Sequence, residues 1–66
     1  MMNKKEIQEA LTAALEGMDL PAMRRDVTNE GNLRWLTRNI LVRNSNHPQV
    51  SEACSLLKTL LRSINS

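Results

Sequence analysis

The side chains best suited to catalysis in this chain are its single cysteine, Cys54, and its single histidine, His47. A cysteine nucleophile needs a base beside it, and His47 is the only imidazole that could serve. His47 lies at the start of a predicted helix, whereas Cys54 lies about two turns further on, on the apolar side with Val50 and Leu57. A thiol in that position is usually inert packing. We therefore predict that Cys54 is a buried structural residue and that His47 is an exposed residue at the helix start.

No other motif for catalysis or cofactor binding is present in the sequence. It lacks a glycine-rich phosphate loop, a paired-cysteine motif and a Gly-x-Ser-x-Gly turn around a nucleophile. One cysteine and one histidine cannot complete a four-ligand zinc site without carboxylates or a second chain. We predict that the protein is not an enzyme and that it binds no metal or cofactor.

The arginines of the central segment could bind nucleic acid. Arg34 and Arg38 are four positions apart and share one face of a helix, with Trp35 and Asn39 as neighbours. Arginines neutralise phosphates, asparagine can read adenine and tryptophan can stack on bases. The net charge is only +2, however, and Arg43 points roughly opposite Arg34 at ~100° per residue. Nucleic-acid binding through Arg34, Arg38, Asn39 and Arg43 is therefore the alternative, and a solvated arginine face is favoured.

Trp35 is the residue most suited to recognition of another protein. Tryptophan and arginine dominate the binding energy of protein interfaces, and Trp35 lies between Arg34 and Arg38 with Val42 and Leu41 nearby. A lone tryptophan in a small domain is more often a core residue, and that interpretation stays open. We predict that these five side chains contact a partner protein.

The segment from Asn32 to Asn44 carries these residues, and its helical periodicity makes two of its sides apolar. One side consists of Leu33, Leu36 and Ile40. Trp35 and Val42 lie roughly 140° away around the same helix. A helix with two apolar sides must be covered twice. It is either sandwiched within its own fold or shared with another molecule.

A first helix is predicted to begin at Asn3, because Asn3 and Glu6 have the spacing of a capping box. Apolar residues follow at helical spacing: Ile7, Ala10, Leu11, Ala14 and Met18. Gly17 is the expected stop, since glycine readily takes the left-handed conformation at helix ends. A proline in a first helical turn favours a short additional helix over Pro21 to Asp26.

Two turn-rich connectors flank the central helix. In the first, any of Thr28, Asn29 or Asn32 could be the N-cap of that helix. In the second, Asn46 and Gln49 repeat the capping-box spacing before the last helix, with Pro48 in its first turn. The clearest amphipathic pattern of the chain then follows: Val50, Ala53, Cys54, Leu57, Leu60, Leu61 and Ile64.

Length and charge set the remaining limits. A chain of 66 residues forms one domain, residues 1–66, with a small core. Residues 1–30 carry four basic and six acidic side chains, a net of −2, whereas residues 31–66 carry five basic and one acidic, a net of +4. This asymmetry could serve an acidic partner, but we favour internal complementarity between helices. The sequence shows no signal peptide and no membrane-spanning run, and a lone cysteine fits a reducing compartment, so we expect a cytoplasmic protein.

Together these patterns predict an all-α protein, a small bundle of three main helices with a short additional helical turn. We expect the last helix to pack on Leu33, Leu36 and Ile40, and the first helix to cover part of the remainder of the central helix. The expected function is non-enzymatic protein–protein interaction, as a homodimer or as a small adaptor or regulator of a larger partner.

Overall fold

The computed structural model describes the backbone of residues 2–65 and the side chains of residues 2–64. Three α-helices follow one another along the chain: α1 (Lys4–Ala14), α2 (Glu30–Asn44) and α3 (Val50–Asn65). A 3₁₀ turn, Ala22–Arg25, lies between α1 and α2. Residues 2–65 contain no β-strand. The predicted all-α class and the predicted order of elements are both confirmed.

The capping box at the start of α1 is present as predicted. The backbone N–H of Glu6 donates to Asn3 Oδ1 at 2.9 Å, and Asn3 N–H donates to Glu6 Oε1 at 3.4 Å. The α-helix ends at Ala14, earlier than the predicted stop. Gly17 nevertheless has a φ of +77°, the left-handed conformation that was expected of it.

The start of α2 shows which of the three candidate residues is the cap. Asn29 is the N-cap, since its Oδ1 accepts a hydrogen bond of 3.0 Å from Asn32 N–H. The helix therefore begins at Glu30, directly after this cap. An acidic residue in this first turn is favourable at the positive end of the helix dipole.

The start of α3 differs from the prediction. Asn46 makes no capping hydrogen bond with the described residues, and Pro48 precedes the first helical residue rather than lying in the first turn. The imidazole of His47 takes the expected place of Asn46, because its Nδ1 accepts the N–H of Gln49 at 3.1 Å. His47 is accordingly half-buried rather than fully exposed.

The helix at the centre of the bundle is α3, not α2. It packs against both α1 and α2, whereas α1 and α2 have few close contacts with each other. The side of α2 formed by Leu33, Leu36 and Ile40 is buried in the shared core, as predicted. The expectation that the first helix covers part of the remainder of α2 is wrong. The apolar side of α3 is wide enough to serve two helices, because partly buried Leu56 and Leu61 extend it on either flank.

Candidate interaction surface

The side of α2 that faces away from α3 combines exposed aliphatic and basic side chains. We define the outer face of α2 as Arg34, Arg38, Leu41 and Val42, all of which are exposed. Arg38 lies one helical turn from Arg34, Leu41 and Val42, so the four side chains form a continuous surface. Leu41 is 52% exposed and Val42 is 80% exposed, among the largest exposures of any large apolar side chain in residues 2–64. The sequence prediction had named all four of these residues.

The two arginines of the outer face differ in their partners. Arg34 is held by Glu30 on the preceding turn, with Nη2 and Nε at 2.8 and 3.1 Å from the same carboxylate oxygen. Both side chains are about half exposed, so this pair contributes little to stability, on the order of 0.3–0.5 kcal/mol. Arg38 forms no hydrogen bond or ion pair with the described part of the chain. Its charge is therefore free for an external partner.

Trp35 borders the outer face and is partly covered by the protein itself. Its side chain is partly buried and packs against the core. The guanidinium carbon of Arg24, from the 3₁₀ turn, lies 4.8 Å from the centre of the indole ring. A cation over a tryptophan face at this distance is attracted by the ring's quadrupole. The 3₁₀ turn therefore covers the Trp35 ring, while Arg38 and Val42 on the same side of α2 stay exposed.

Asn32 fixes Arg24 over the ring. Its Oδ1 accepts a hydrogen bond of 3.2 Å from Arg24 Nη1. Its Nδ2 donates to the backbone carbonyls of Met23 and Asp26, at 2.9 and 3.1 Å. Asn32 is only 8% exposed, and its buried side-chain amide makes all three of these hydrogen bonds. Such a satisfied buried amide gives the 3₁₀ turn a defined position on α2.

Two further side chains attach the segment between α1 and α2. Arg25 donates to the carbonyls of Leu15 and Met18, at 2.8 and 2.6 Å, and so adds hydrogen bonds to the backbone where α1 ends. Asn44, 7% exposed, accepts from Asp19 N–H at 2.6 Å and donates to the same residue's carbonyl at 3.3 Å. The connector is thus held at both ends of α2, which gives the Arg24–Trp35 contact a stable support.

The four residues proposed for nucleic-acid binding do not share one surface. Arg34 and Arg38 lie together, while Asn39 and Arg43 lie together on another side of α2, roughly 140° away by helical geometry. The side-chain amide of Asn39 donates to the carbonyl of Trp35 at 2.8 Å, which engages it within its own helix. The set that the sequence suggested is therefore split into two pairs.

Cys54 and His47 do not form a nucleophile–base pair in the described structure. Cys54 is partly buried and packs at the margin of the core, so it is less buried than the sequence predicted. His47 uses Nδ1 to accept the N–H of Gln49. Among the described residues, no group of three or more His, Cys, Asp or Glu side chains could hold a metal ion.

The outer face lies on a chain without detectable relatives. Comparison with protein-family models, with curated proteins and with solved structures finds no match. Within the part of the chain that the structure describes, no helix is both long and apolar enough to cross a membrane. The residues of the surface are therefore the basis for any functional proposal.

The sequence analysis missed Met23, Arg24 and Asn32 as contributors to this surface. Met23 is 77% exposed beside Arg24, and Asn32 holds both in place. One signal was available: Asn32 and Asn44 lie at the two ends of the apolar side of α2, where buried amides need partners from another segment. The nearest segment able to supply them is the one that contains Arg24.

Proposed function

We propose that this protein is a non-enzymatic protein–protein interaction module that binds through the outer face of α2, with Trp35 at its edge. It acts as a homodimer or as a small adaptor or regulator of a larger protein. The observation that supports this proposal is the pair of adjacent exposed aliphatic residues, Leu41 at 52% and Val42 at 80%. A single exposed aliphatic residue is ordinary, but an adjacent pair framed by arginines resembles the composition of interface centres.

The energetics favour association through this face. Complete burial of one leucine or valine side chain contributes about 1.5–3 kcal/mol. Leu41 and Val42 are still exposed by half or more, so half or more of this free energy is available for binding a partner. Arg38 adds a charge that is unpaired within the described residues. A stable interface needs about 1,000 Å² of buried area or more, so Trp35 and the 3₁₀ turn would have to contribute as well.

The test compares wild type with a Leu41→Ser/Val42→Ser double variant and with a Met2→Ser control. Met2 is also an exposed apolar residue, 46% exposed, but it lies outside the outer face. Because both substituted residues of α2 are exposed, the double variant should retain wild-type stability within about 1 kcal/mol. Sedimentation velocity over a wide concentration range measures self-association, and affinity capture measures a larger partner.

We expect the double variant to lose self-association or partner capture and the Met2→Ser variant to retain it. A wild-type protein that stays monomeric and captures no partner contradicts the proposal. So does a double variant that associates as well as wild type.

Nucleic-acid binding is less favoured than protein binding. Arg34 is paired with Glu30, the amide of Asn39 is engaged by its own helix, and Arg43 lies on a different side of α2. Titration with duplex DNA and with single-stranded RNA tests this alternative. Saturable binding that weakens steeply with salt and is lost in an Arg34→Ala/Arg38→Ala variant would replace the protein-binding proposal. The single thiol is typical of a reducing compartment, and we propose a cytoplasmic location on that basis.

A further inference from the structure

The guanidinium of Arg24 is fixed in place but only partly used. It lies 4.8 Å from the centre of the Trp35 ring and donates from Nη1 to Asn32 Oδ1. A guanidinium has five N–H donors, and that of Arg24 makes no further hydrogen bond or ion pair with the described residues. Arg24 and Trp35 are both only partly buried, so the remaining donors can be reached from outside.

Two carboxylates close to Arg24 in the sequence, Asp26 and Glu30, are already engaged. Glu30 is paired with Arg34, and Asp26 accepts hydrogen bonds from the hydroxyl and the N–H of Thr28, at 2.6 and 3.0 Å. No carboxylate of the described residues pairs with Arg24, so its free donors can bind an Asp or Glu of another molecule. Arg38, one turn along α2 from Trp35, is a second cation without a carboxylate partner among the described residues.

Apolar side chains flank these two cations. Val42 lies one turn beyond Arg38 and is 80% exposed, and Met23 precedes Arg24 and is 77% exposed. A partner that brings carboxylates to Arg24 and Arg38 can therefore also bury aliphatic groups against Val42 and Met23. Arginine and tryptophan are the residue types most enriched at the centres of interfaces.

We propose that Arg24, held over Trp35, is a preformed carboxylate receptor, and that the partner bound here is an acidic segment of a different protein. Its Asp or Glu side chains pair with Arg24 and Arg38, and its aliphatic side chains contact Val42 and Met23. This inference rests on the proposed function and adds the chemistry of the partner. Because Asn32 and Trp35 already hold the guanidinium, less side-chain entropy is lost on binding than for a free arginine.

A second copy of the chain fits this surface less well. In a two-fold symmetric dimer the same patch meets itself, so Arg24 and Arg38 would face the arginines of the other copy. Like charges brought together in an interface oppose association. A contact between this patch and acidic residues in the first half of another copy would be head-to-tail, which leads to open chains unless the rotation closes.

The experiment first selects peptides that bind the protein from a displayed library of random sequences. The affinity of each selected peptide is then measured by titration, with Trp35 fluorescence as the signal. Trp35 is the only aromatic residue of the chain, so its emission reports directly on the receptor. We expect the selected peptides to be rich in Asp and Glu interspersed with aliphatic residues. We expect amide versions of the same peptides, with Asn and Gln in place of the acids, to bind about tenfold or more weakly.

Variants then locate the bound carboxylate. Arg24→Ala should weaken binding about tenfold or more, and Arg24→Lys by a smaller factor because lysine keeps the charge but loses the forked geometry. Arg38→Ala, which removes no hydrogen bond or ion pair among the described residues and so should fold normally, should weaken binding about threefold or more. Arg43→Ala is the matched control on another side of α2 and should change affinity less than about twofold.

Several results would overturn the inference. Selected peptides that are neutral or basic would do so, as would acidic peptides whose binding is unchanged in both Arg24→Ala and Arg38→Ala. If such peptides still lose binding in Leu41→Ser/Val42→Ser, the proposed function stands and only the carboxylate receptor fails. If no peptide is enriched and single-stranded RNA instead quenches Trp35 in a salt-dependent manner, both proposals fail in favour of nucleic-acid binding.

Discussion

The substitution Asn32→Ala should uncouple the 3₁₀ turn from α2. Asn32 makes three side-chain hydrogen bonds, one from Arg24 and two to the carbonyls of Met23 and Asp26. Alanine fits the helix but replaces none of them. The expected consequence is a loss of stability together with a greater exposure of Trp35, because the residue that covers its ring loses its support.

The magnitude follows from those three bonds. A net contribution of about 0.5–1.5 kcal/mol for each gives a total of roughly 1.5–4.5 kcal/mol. Met23 and Asp26 are exposed residues, so water can replace part of what their carbonyls lose, and about 2 kcal/mol is the better expectation. A domain of this length has a total stability of roughly 3–10 kcal/mol, so the loss is a large fraction of it. The midpoint of thermal unfolding should fall by roughly 10 °C.

Urea unfolding followed by circular dichroism and by Trp35 fluorescence measures both effects. The matched control is Asn39→Ala on the same helix, because the Asn39 amide only donates to the carbonyl of Trp35 one turn earlier. That change should alter the free energy of unfolding by less than about 0.5 kcal/mol, since alanine also favours the helix. If both variants lose equal stability, or if Asn32→Ala leaves the native emission of Trp35 unchanged, Asn32 does not hold the turn in place.

Three further predictions follow from individual residues. Gly17→Ala should destabilise the protein by about 1–2 kcal/mol in urea unfolding, because the backbone at φ +77° is strained for alanine while its Cβ would meet His47 only at an ordinary 3.7 Å. Cys54→Ala should cost on the order of 1 kcal/mol, and the partly buried thiol of the wild type should react with a labelling reagent more slowly when folded than when unfolded. The hydroxyl of Thr28 and, to a lesser extent, its N–H donate hydrogen bonds to Asp26 and lower the pKa of that carboxyl. Thr28→Val removes the hydroxyl, so an NMR titration should find the pKa raised toward its ordinary value of 3.8. Because the folded pKa of Asp26 is lowered, its ionised carboxyl stabilises the wild type at pH values above the ordinary pKa. This stabilisation is lost as the pH falls through the folded pKa, so the stability difference between Thr28→Val and wild type should shrink below about pH 4.

The parts of this structure that could be predicted from the sequence depend on neighbours along the chain. The capping box of Asn3 and Glu6 needs only four consecutive residues, and the buried side of α2 needs only the helical repeat. Asn29 was one of three candidate caps, and the sequence could not separate them because all three were close enough to the helix start. The helical repeat also places Leu41 and Val42 beside Arg34 and Arg38, so this exposed surface could be predicted from the sequence.

The parts that could not be predicted depend on contacts between separate segments. Periodicity showed that the last helix had the strongest apolar side but not that it would serve two helices at once. The contact between Arg24 and Trp35 joins residues eleven positions apart through an irregular turn, where no repeat constrains direction. His47 likewise replaced Asn46 as an acceptor ahead of α3, because histidine can accept a local N–H in the same way as asparagine but is not expected from the usual capping pattern.

These contacts explain why a basic residue, rather than a second helix, covers Trp35. The side of α2 that carries Trp35 also carries Arg38 and Val42, and a packed helix would have had to bury Arg38 or pair it. A short turn covers only the ring, with a cation that is itself hydrogen-bonded, and leaves the rest of the side in water. The result is a rigid and partly charged surface on a very small fold. Trp35 is thus partly buried against the core, while Arg24, Arg38 and Val42 stay accessible. A preformed binding surface requires this arrangement.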